Sequence, residues 1–349
     1  MNLENYKSKG YTGLSNLGNT CFLNSCVQVL NHTYEFHSFL DSEKITRHVK
    51  NNIPDTQILR EWNDLRSVMW SGNGVVSPNK FVSNVQTIAG IKDKDIFTGW
   101  AQNDMPEFLL FIMDCIHNSI SRGVTMRING TIENNTDKNA VECYNMLKTI
   151  YEKEYSEVME LFYGVYISEI VSKDSLIQHT LKPETYFVLD LPILDGRIMM
   201  NTLYDCFDLF TRSEILEGDN AWFNEKTGEK EAVQKRMSFW NFPKVLVIML
   251  KRFTPDGQYR INSRVEFPID LDLTRYVRGY NATSYKYDLY GVCNHTGNIM
   301  GGHYTAFVKH ADNKWLHFND TTVETVQNAD DIITPMAYCL FYRKKNNLV

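Results

Sequence analysis

Gly13-Leu14-Ser15-Asn16-Leu17-Gly18-Asn19-Thr20-Cys21-Phe22-Leu23-Asn24-Ser25 sets one thiol behind a polar, glycine-containing turn and ahead of an apolar run. After Cys21, the residues Phe22, Leu23, Cys26, Val27, Val29 and Leu30 recur at steps of three and four, the period of an α-helix. A helix that starts at Cys21 aims unpaired backbone N–H groups and the positive end of its dipole at the sulfur, and both favour a thiolate. The same donors can hold an oxyanion, and the carboxamide of Asn16 can add another. Gly13 and Gly18 permit a turn that brings the backbone close to a substrate. A cysteine standing alone is more often a small buried core residue. The other six cysteines keep that reading, each in an apolar pattern without such a polar collar.

A thiol nucleophile needs a base to take its proton and a third group to aim that base. Near the other end stand Gly301-Gly302-His303-Tyr304 and Trp315-Leu316-His317-Phe318-Asn319-Asp320. His303 is expected to begin a strand continuing through Tyr304-Thr305-Ala306-Phe307-Val308, with glycines that let a substrate chain pass at contact distance. A strand over Trp315–Phe318 beside it would bring the amide oxygen of Asn319 to His303, fixing the imidazole tautomer without adding charge. Asp320 is the charged alternative one residue on.

The chain of 349 residues is long enough for one large domain or two ordinary ones. An apolar fraction of 43% and a charged fraction of 22% are those of a soluble globular protein. A net charge of −6 argues against a nucleic-acid binder, and no apolar run approaches the ~20 residues that cross a bilayer. No secretory signal is read at the start, and the seven cysteines form no Cys-x-x-Cys pair. Free thiols in an intracellular compartment, cytoplasm or nucleus, are expected.

Helical periodicity dominates the first half. Asp104 followed by Pro106 and Glu107 reads as a capped helix start, residues 121–140 as a polar surface loop, and about 141–160 as another helix. From about Leu161 the pattern turns to strands: Tyr163–Ile170, Thr185–Leu191, Met237–Trp240, Val245–Arg252, Tyr287–Cys293, Tyr304–His310 and Tyr338–Tyr342, with one helix over 201–212. The fold class is α+β.

The Cys21 segment, extended to Gln28 and Leu30, resembles the cysteine box of the ubiquitin-specific protease family, and the His303 and Asn319 segments resemble its histidine box. Gln102-Asn103-Asp104-Met105-Pro106-Glu107-Phe108, Leu161-Phe162-Tyr163-Gly164, Pro243-Lys244-Val245-Leu246, Leu250-Lys251-Arg252-Phe253 and Ala337-Tyr338-Cys339-Leu340-Phe341-Tyr342 fall in the family's order. The resemblance implies a single papain-like catalytic domain over 11–344, with a helical thumb (about 11–160), β fingers (about 161–250) and a β-rich palm (about 251–344). It implies thiol-dependent hydrolysis after the C-terminal Gly-Gly of ubiquitin, with ubiquitin and ubiquitinated proteins as partners and a monomer as the working form. By the same resemblance Cys21 is the nucleophile, His303 the base and then acid, Asn319 the orienting member and Asn16 an oxyanion donor. Gln102, Asp104 and Glu107 match positions that hold the ubiquitin tail, and Tyr304 lines the narrow channel for Gly-Gly. A catalytically silent ubiquitin-binding module and a protease for another ubiquitin-like modifier are the alternatives.

Many members of that family bind zinc through two Cys-x-x-Cys pairs in the fingers. Here the matching stretches, Val171-Ser172-Lys173-Asp174-Ser175 and Phe223-Asn224-Glu225-Lys226-Thr227-Gly228, hold no cysteine. Four sulfur or imidazole ligands cannot be assembled there. No zinc or other cofactor is therefore expected, and a finger tip held only by packing. Asn103, Met105 and Pro106 also depart from the usual glutamine segment.

Overall fold

The computed structural model describes residues 3–173, 177–254, 257, 259–298 and 301–345. Its helices gather in the first half. The helix that begins at Cys21, Cys21–Asn31, is buried on every side, polar residues included. Its polar side chains therefore need internal partners: Gln28 Nε2 donates to Thr12 O at 2.7 Å, and Asn24 Nδ2 donates to the Asp320 carboxylate at 2.8 Å. Beside it packs the helix Met105–Ile120, capped as its sequence suggests, with Asp104 Oδ1 accepting from Glu107 N–H at 3.3 Å.

The expected loop over 121–140 is partly helical. A 20-residue helix runs from Asn135 to Glu154, and a short one follows at Glu157–Phe162. Within that expected loop the Asn134-Asn135-Thr136-Asp137 run is a capping box: Asn134 Oδ1 accepts from Asp137 N–H at 3.0 Å, and the Asp137 carboxylate accepts from Asn134 N–H at 3.2 Å. The same residue types serve turns and helix starts, so composition alone does not separate them.

The palm is an eight-stranded sheet in the order Thr322–Val326, Trp315–Asn319, Gly301–Lys309, Lys286–Asn298, Ala337–Lys344, Val245–Lys251, Val188–Pro192, with Asp270–Asp272 also paired to Lys286–Asn298. Every pairing is antiparallel except Val245–Lys251 with Val188–Pro192. The apolar run in Val245–Lys251 is uninterrupted because the strand is buried on both faces. Val245 and Val247 join the core beneath the helices, whereas Leu246, Ile248 and Leu250 join a second core behind the sheet with the helix Leu203–Thr211.

The fingers are a separate antiparallel sheet of Gln178–Tyr186, Gly164–Ser172, Val233–Asn241 and Glu214–Leu216. The single strand expected over Thr185–Leu191 is thus two: the chain leaves the fingers sheet at Tyr186 and enters the palm sheet at Val188. A period of two continues across the change of sheet and does not reveal it. At the tip, the hairpin of Trp222–Asn224 with Glu229–Glu231 is not held by packing alone. Buried Asn224 donates to Glu231 Oε1 at 2.7 Å, Thr227 Oγ1 donates to the same oxygen at 3.0 Å, and the His179 ring lies 5.3 Å from that of Trp222. Asp174 and Ser175 lie outside the described residues.

One buried cation locks the palm. Arg252 is fully buried and donates to the backbone oxygens of Ala337, Ile261 (3.0 Å) and Ser263 (2.8 Å). Burial pulls its guanidinium down to about 10. Arg252→Met would leave three carbonyls without that donor, and we expect a loss of about 3 kcal/mol in urea unfolding. A change under about 1 kcal/mol would show that water replaces the guanidinium.

Candidate active site

The loop before Cys21 is wound by its own side chains. Gly18 (φ 105°) and Asn19 (φ 55°) take the left-handed conformation, and Asn16 Oδ1 accepts from the N–H groups of Gly18 and Thr20, each at 3.1 Å. Gly13 serves differently from the expected turn: it lies in the strand Thr12–Leu14, where a side chain would collide with the backbone of Thr321. Thr20 precedes the helix without capping it through its side chain. Its hydroxyl accepts from Leu17 N–H at 2.9 Å, and the backbone N–H groups of Cys21 and Phe22 favour the thiolate.

Tyr304, the residue that follows His303, shares the core beneath the helices with Cys21, and its backbone N–H is among the groups that favour the thiolate. Burial nevertheless outweighs these donors and pushes the thiol up from its ordinary value, with the nearby Asp320 carboxylate adding to the effect. The expected donors favour the thiolate, and burial opposes them. Only the thiolate alkylates. The rate of Cys21 modification by iodoacetamide should therefore climb with every pH step from 7 to 9. A rate independent of pH across that range would mean a preformed thiolate.

His303 is the third residue of the strand Gly301–Lys309 rather than its first. Trp315–Asn319 pairs beside it, with Ala306 opposite Phe318, and ends on Asn319. There Asn319 Oδ1 lies 2.7 Å from His303 Nε2. An amide oxygen only accepts, so Nε2 carries the proton and Nδ1 is left as the basic nitrogen.

Asp320 turns away from the imidazole. With φ 50° it starts the turn after the strand, and its carboxylate accepts from Asn16 Nδ2 at 3.0 Å and Asn24 Nδ2 at 2.8 Å. Its backbone oxygen accepts from Leu14 N–H at 2.8 Å. Asp320 thus braces the loop before Cys21, and its bond to Asn16 uses one of that residue's two amide hydrogens. Asn24 was missed in the sequence. Its signal is a buried polar residue three places after Cys21, on the same side of the helix.

A groove of about 770 Å³ leads to this point. Gln102, Asp104 and Glu107 form one wall, and Gly301, Gly302, Tyr304, His295, Tyr338 and Phe253 belong to the opposite side. Asp104 accepts from Tyr338 OH at 2.8 Å and from Tyr304 OH at 3.5 Å, and burial raises its carboxyl. The His295 and Tyr304 rings lie 4.6 Å apart, and burial holds the His295 imidazole down at about 4. Neither His295 nor Asp190, a further acid in this groove, carries a readable signal, since each is one polar residue within a strand.

The family model described as ubiquitin carboxyl-terminal hydrolase matches residues 12–342. The chain belongs to the ubiquitin carboxyl-terminal hydrolase family. Among its relatives, human ubiquitin carboxyl-terminal hydrolase 2 is 33% identical over 352 residues, covering 97% of this chain and 56% of that protein. The Gallus gallus protein of the same name is 34% identical, covering 96% and 93%. Drosophila melanogaster ubiquitin carboxyl-terminal hydrolase Usp2 is 32% identical, covering 97% and 35%. The chain therefore spans about half the length of the mammalian relatives it matches, 56% of the human protein. Among solved structures, the SAGA Ubp8/Sgf11/Sus1/Sgf73 DUB module bound to ubiquitin aldehyde matches with a TM-score of 0.73 at 23% identity, covering 98% of this chain and 71% of that one. The α+β fold is the papain-like one of this family, with helical thumb, β palm and β fingers.

Proposed function

We propose that this chain is a deubiquitinase that hydrolyses isopeptide or peptide bonds after the C-terminal Gly-Gly of ubiquitin. The observation that carries the reading is the packing of the helix that begins at Cys21 against the strand that bears the His303–Asn319 pair, beside a groove with Gly301-Gly302 on one side. His303 Nδ1 takes the thiol proton as sulfur attacks the terminal glycine carbonyl. The Cys21 N–H and the free amide hydrogen of Asn16 support the oxyanion. The imidazolium then protonates the departing amine, and water, deprotonated by the same ring, cleaves the thioester to carboxylate and thiol. Ubiquitin bearing a C-terminal fluorophore should release it in the presence of the protein. A folded protein that binds ubiquitin without turnover would instead be the silent module, and preference for another Gly-Gly modifier would redirect the specificity.

The site is complete within one chain, which supports action as a monomer, and the seven unpaired thiols support a reducing intracellular setting. We also propose that the fingers work without zinc. The Asn224–Glu231 clasp takes up the tip, and no group of three or more metal-capable side chains occurs among the described residues. Chelator is expected to leave the melting temperature and turnover unchanged, with well under one zinc per chain by elemental analysis; stoichiometric zinc would refute this.

A further inference from the structure

On one side, the strand Gly301–Lys309 pairs with Lys286–Asn298, Gly302 lying opposite Gly297 and His303 opposite Thr296. On the other side it pairs with Trp315–Asn319 only from Ala306 to Lys309. Residues 301–305 therefore turn an unpaired edge toward the groove. Alternate N–H groups of a strand point the same way, so those of Gly302 and Tyr304 share this edge. Gly302 N–H donates to Gln102 Oε1, and Tyr304 shares a core with Cys21.

Gln102 reaches Gly302 from the opposite wall of the groove. It is exposed to solvent, and its Nε2 donates to Asn19 Oδ1 at 3.4 Å, while Asn19 Nδ2 donates to Trp100 O at 2.9 Å. A Cβ on Gly301 would lie 2.7 Å from Gln102 Oε1, so the carboxamide rests directly on the glycine pair. One side chain thus bridges the groove two residues before Tyr304.

We propose that Gln102 is a latch: in the free protein it occupies the Gly302 N–H that the backbone of an incoming Gly-Gly tail takes over, and substrate displaces it to reach Cys21. This rests on the deubiquitinase reading. Extended peptides dock on open strand edges by taking up main-chain hydrogen-bonding positions. A donor left bare is costly, but exchanging one amide oxygen for another is nearly neutral. The carboxamide therefore keeps Gly302 N–H satisfied at rest and yields to a peptide carbonyl.

Gln102→Ala removes the latch, and Gln102→Glu replaces it with a charge-assisted acceptor. Each variant is compared with the unmutated chain by Cys21 labelling with a ubiquitin C-terminal suicide probe. Iodoacetamide, which needs no tail, and hydrogen exchange at the Gly302 amide provide the controls. We expect probe labelling to accelerate roughly 3–10-fold in the alanine variant and to slow comparably in the glutamate variant. Iodoacetamide rates should stay alike, and Gly302 exchange should quicken in the alanine variant. Unchanged or slower probe labelling of Gln102→Ala, with iodoacetamide reactivity intact, would overturn the latch and make Gln102 a tail contact only. If iodoacetamide but not the ubiquitin probe modifies the unmutated protein, the deubiquitinase reading fails instead. Equal Gly302 exchange in the unmutated and alanine proteins would then overturn the latch as well.

Discussion

Cys21→Ala is expected to keep the fold and ubiquitin binding while lowering turnover by at least roughly 10⁴-fold, the scale on which removal of a nucleophile acts. The side chain is small and buried, so replacing its sulfur by hydrogen leaves the packing around it almost unchanged. The partners grade the effect. Asn319→Ala leaves Nε2 of His303 without its acceptor, so the ring can rotate or adopt the wrong tautomer, and kcat should fall about 10²-fold or more. Asp320→Ala releases Asn16, Asn24 and the loop rather than the imidazole, so its loss should be smaller in kcat and accompanied by a lower melting temperature. Turnover measured on the three variants with a fluorogenic ubiquitin substrate reads this order. Should Asp320→Ala be the more damaging of the two partner variants in kcat, the third catalytic role would pass to it.

Mild acid should unfold this protein far above the pH at which its carboxylates protonate. His32 follows the end of the helix Cys21–Asn31, buried, with Nδ1 2.8 Å from Gln28 O; His37 is buried in the next helix, Tyr34–Leu40. Burial holds each neutral down to about 3, and neighbouring Arg343 and Arg66 lower His32 and His37 respectively. In the unfolded chain these imidazoles titrate near about 6.5. Below that pH the unfolded state binds the extra protons, so stability complete above it is lost as pH falls toward 3. Two histidines together remove roughly 3 kcal/mol per pH unit, so urea midpoints should drop steeply between pH 6.5 and 5. A flat midpoint over that interval would mean that both rings are protonated in the native state.

The pairing of His303 with Asn319 was legible because each sits in a short stretch whose residue types have few other uses together. The continuous run at Val245–Leu250 likewise announced a strand, and the structure buries it on both faces. What escaped was set by distant parts of the chain. Asp320 is adjacent to Asn319 in sequence, yet the left-handed turn at Asp320 sends its carboxylate to Asn16 and Asn24. The groove draws residues from stretches as far apart as Gln102, Asp190, Phe253, His295 and Tyr338, and no local period joins them. The burial that raises the Cys21 thiol depends on the packed chain around it, whereas the helix-start argument saw only the local donors. At the finger tip, the missing cysteines were visible, but the Asn224–Glu231 bond that organises the hairpin depends on how its strands pair.

The strand Ala337–Lys344 is inserted in mid-sheet, between Lys286–Asn298 and Val245–Lys251. During synthesis the two neighbours emerge first and must wait, with exposed hydrogen-bonding edges, for a segment made almost a hundred residues after the earlier of them. Closure of such a long interval is slow, and the unpaired edges invite aggregation meanwhile. Tyr338 delivers its hydroxyl to Asp104 only once that insertion is complete. A half-made chain, though it already carries Cys21, lacks the strand that brings Tyr338 to Asp104, so the groove is finished only when that strand is in place.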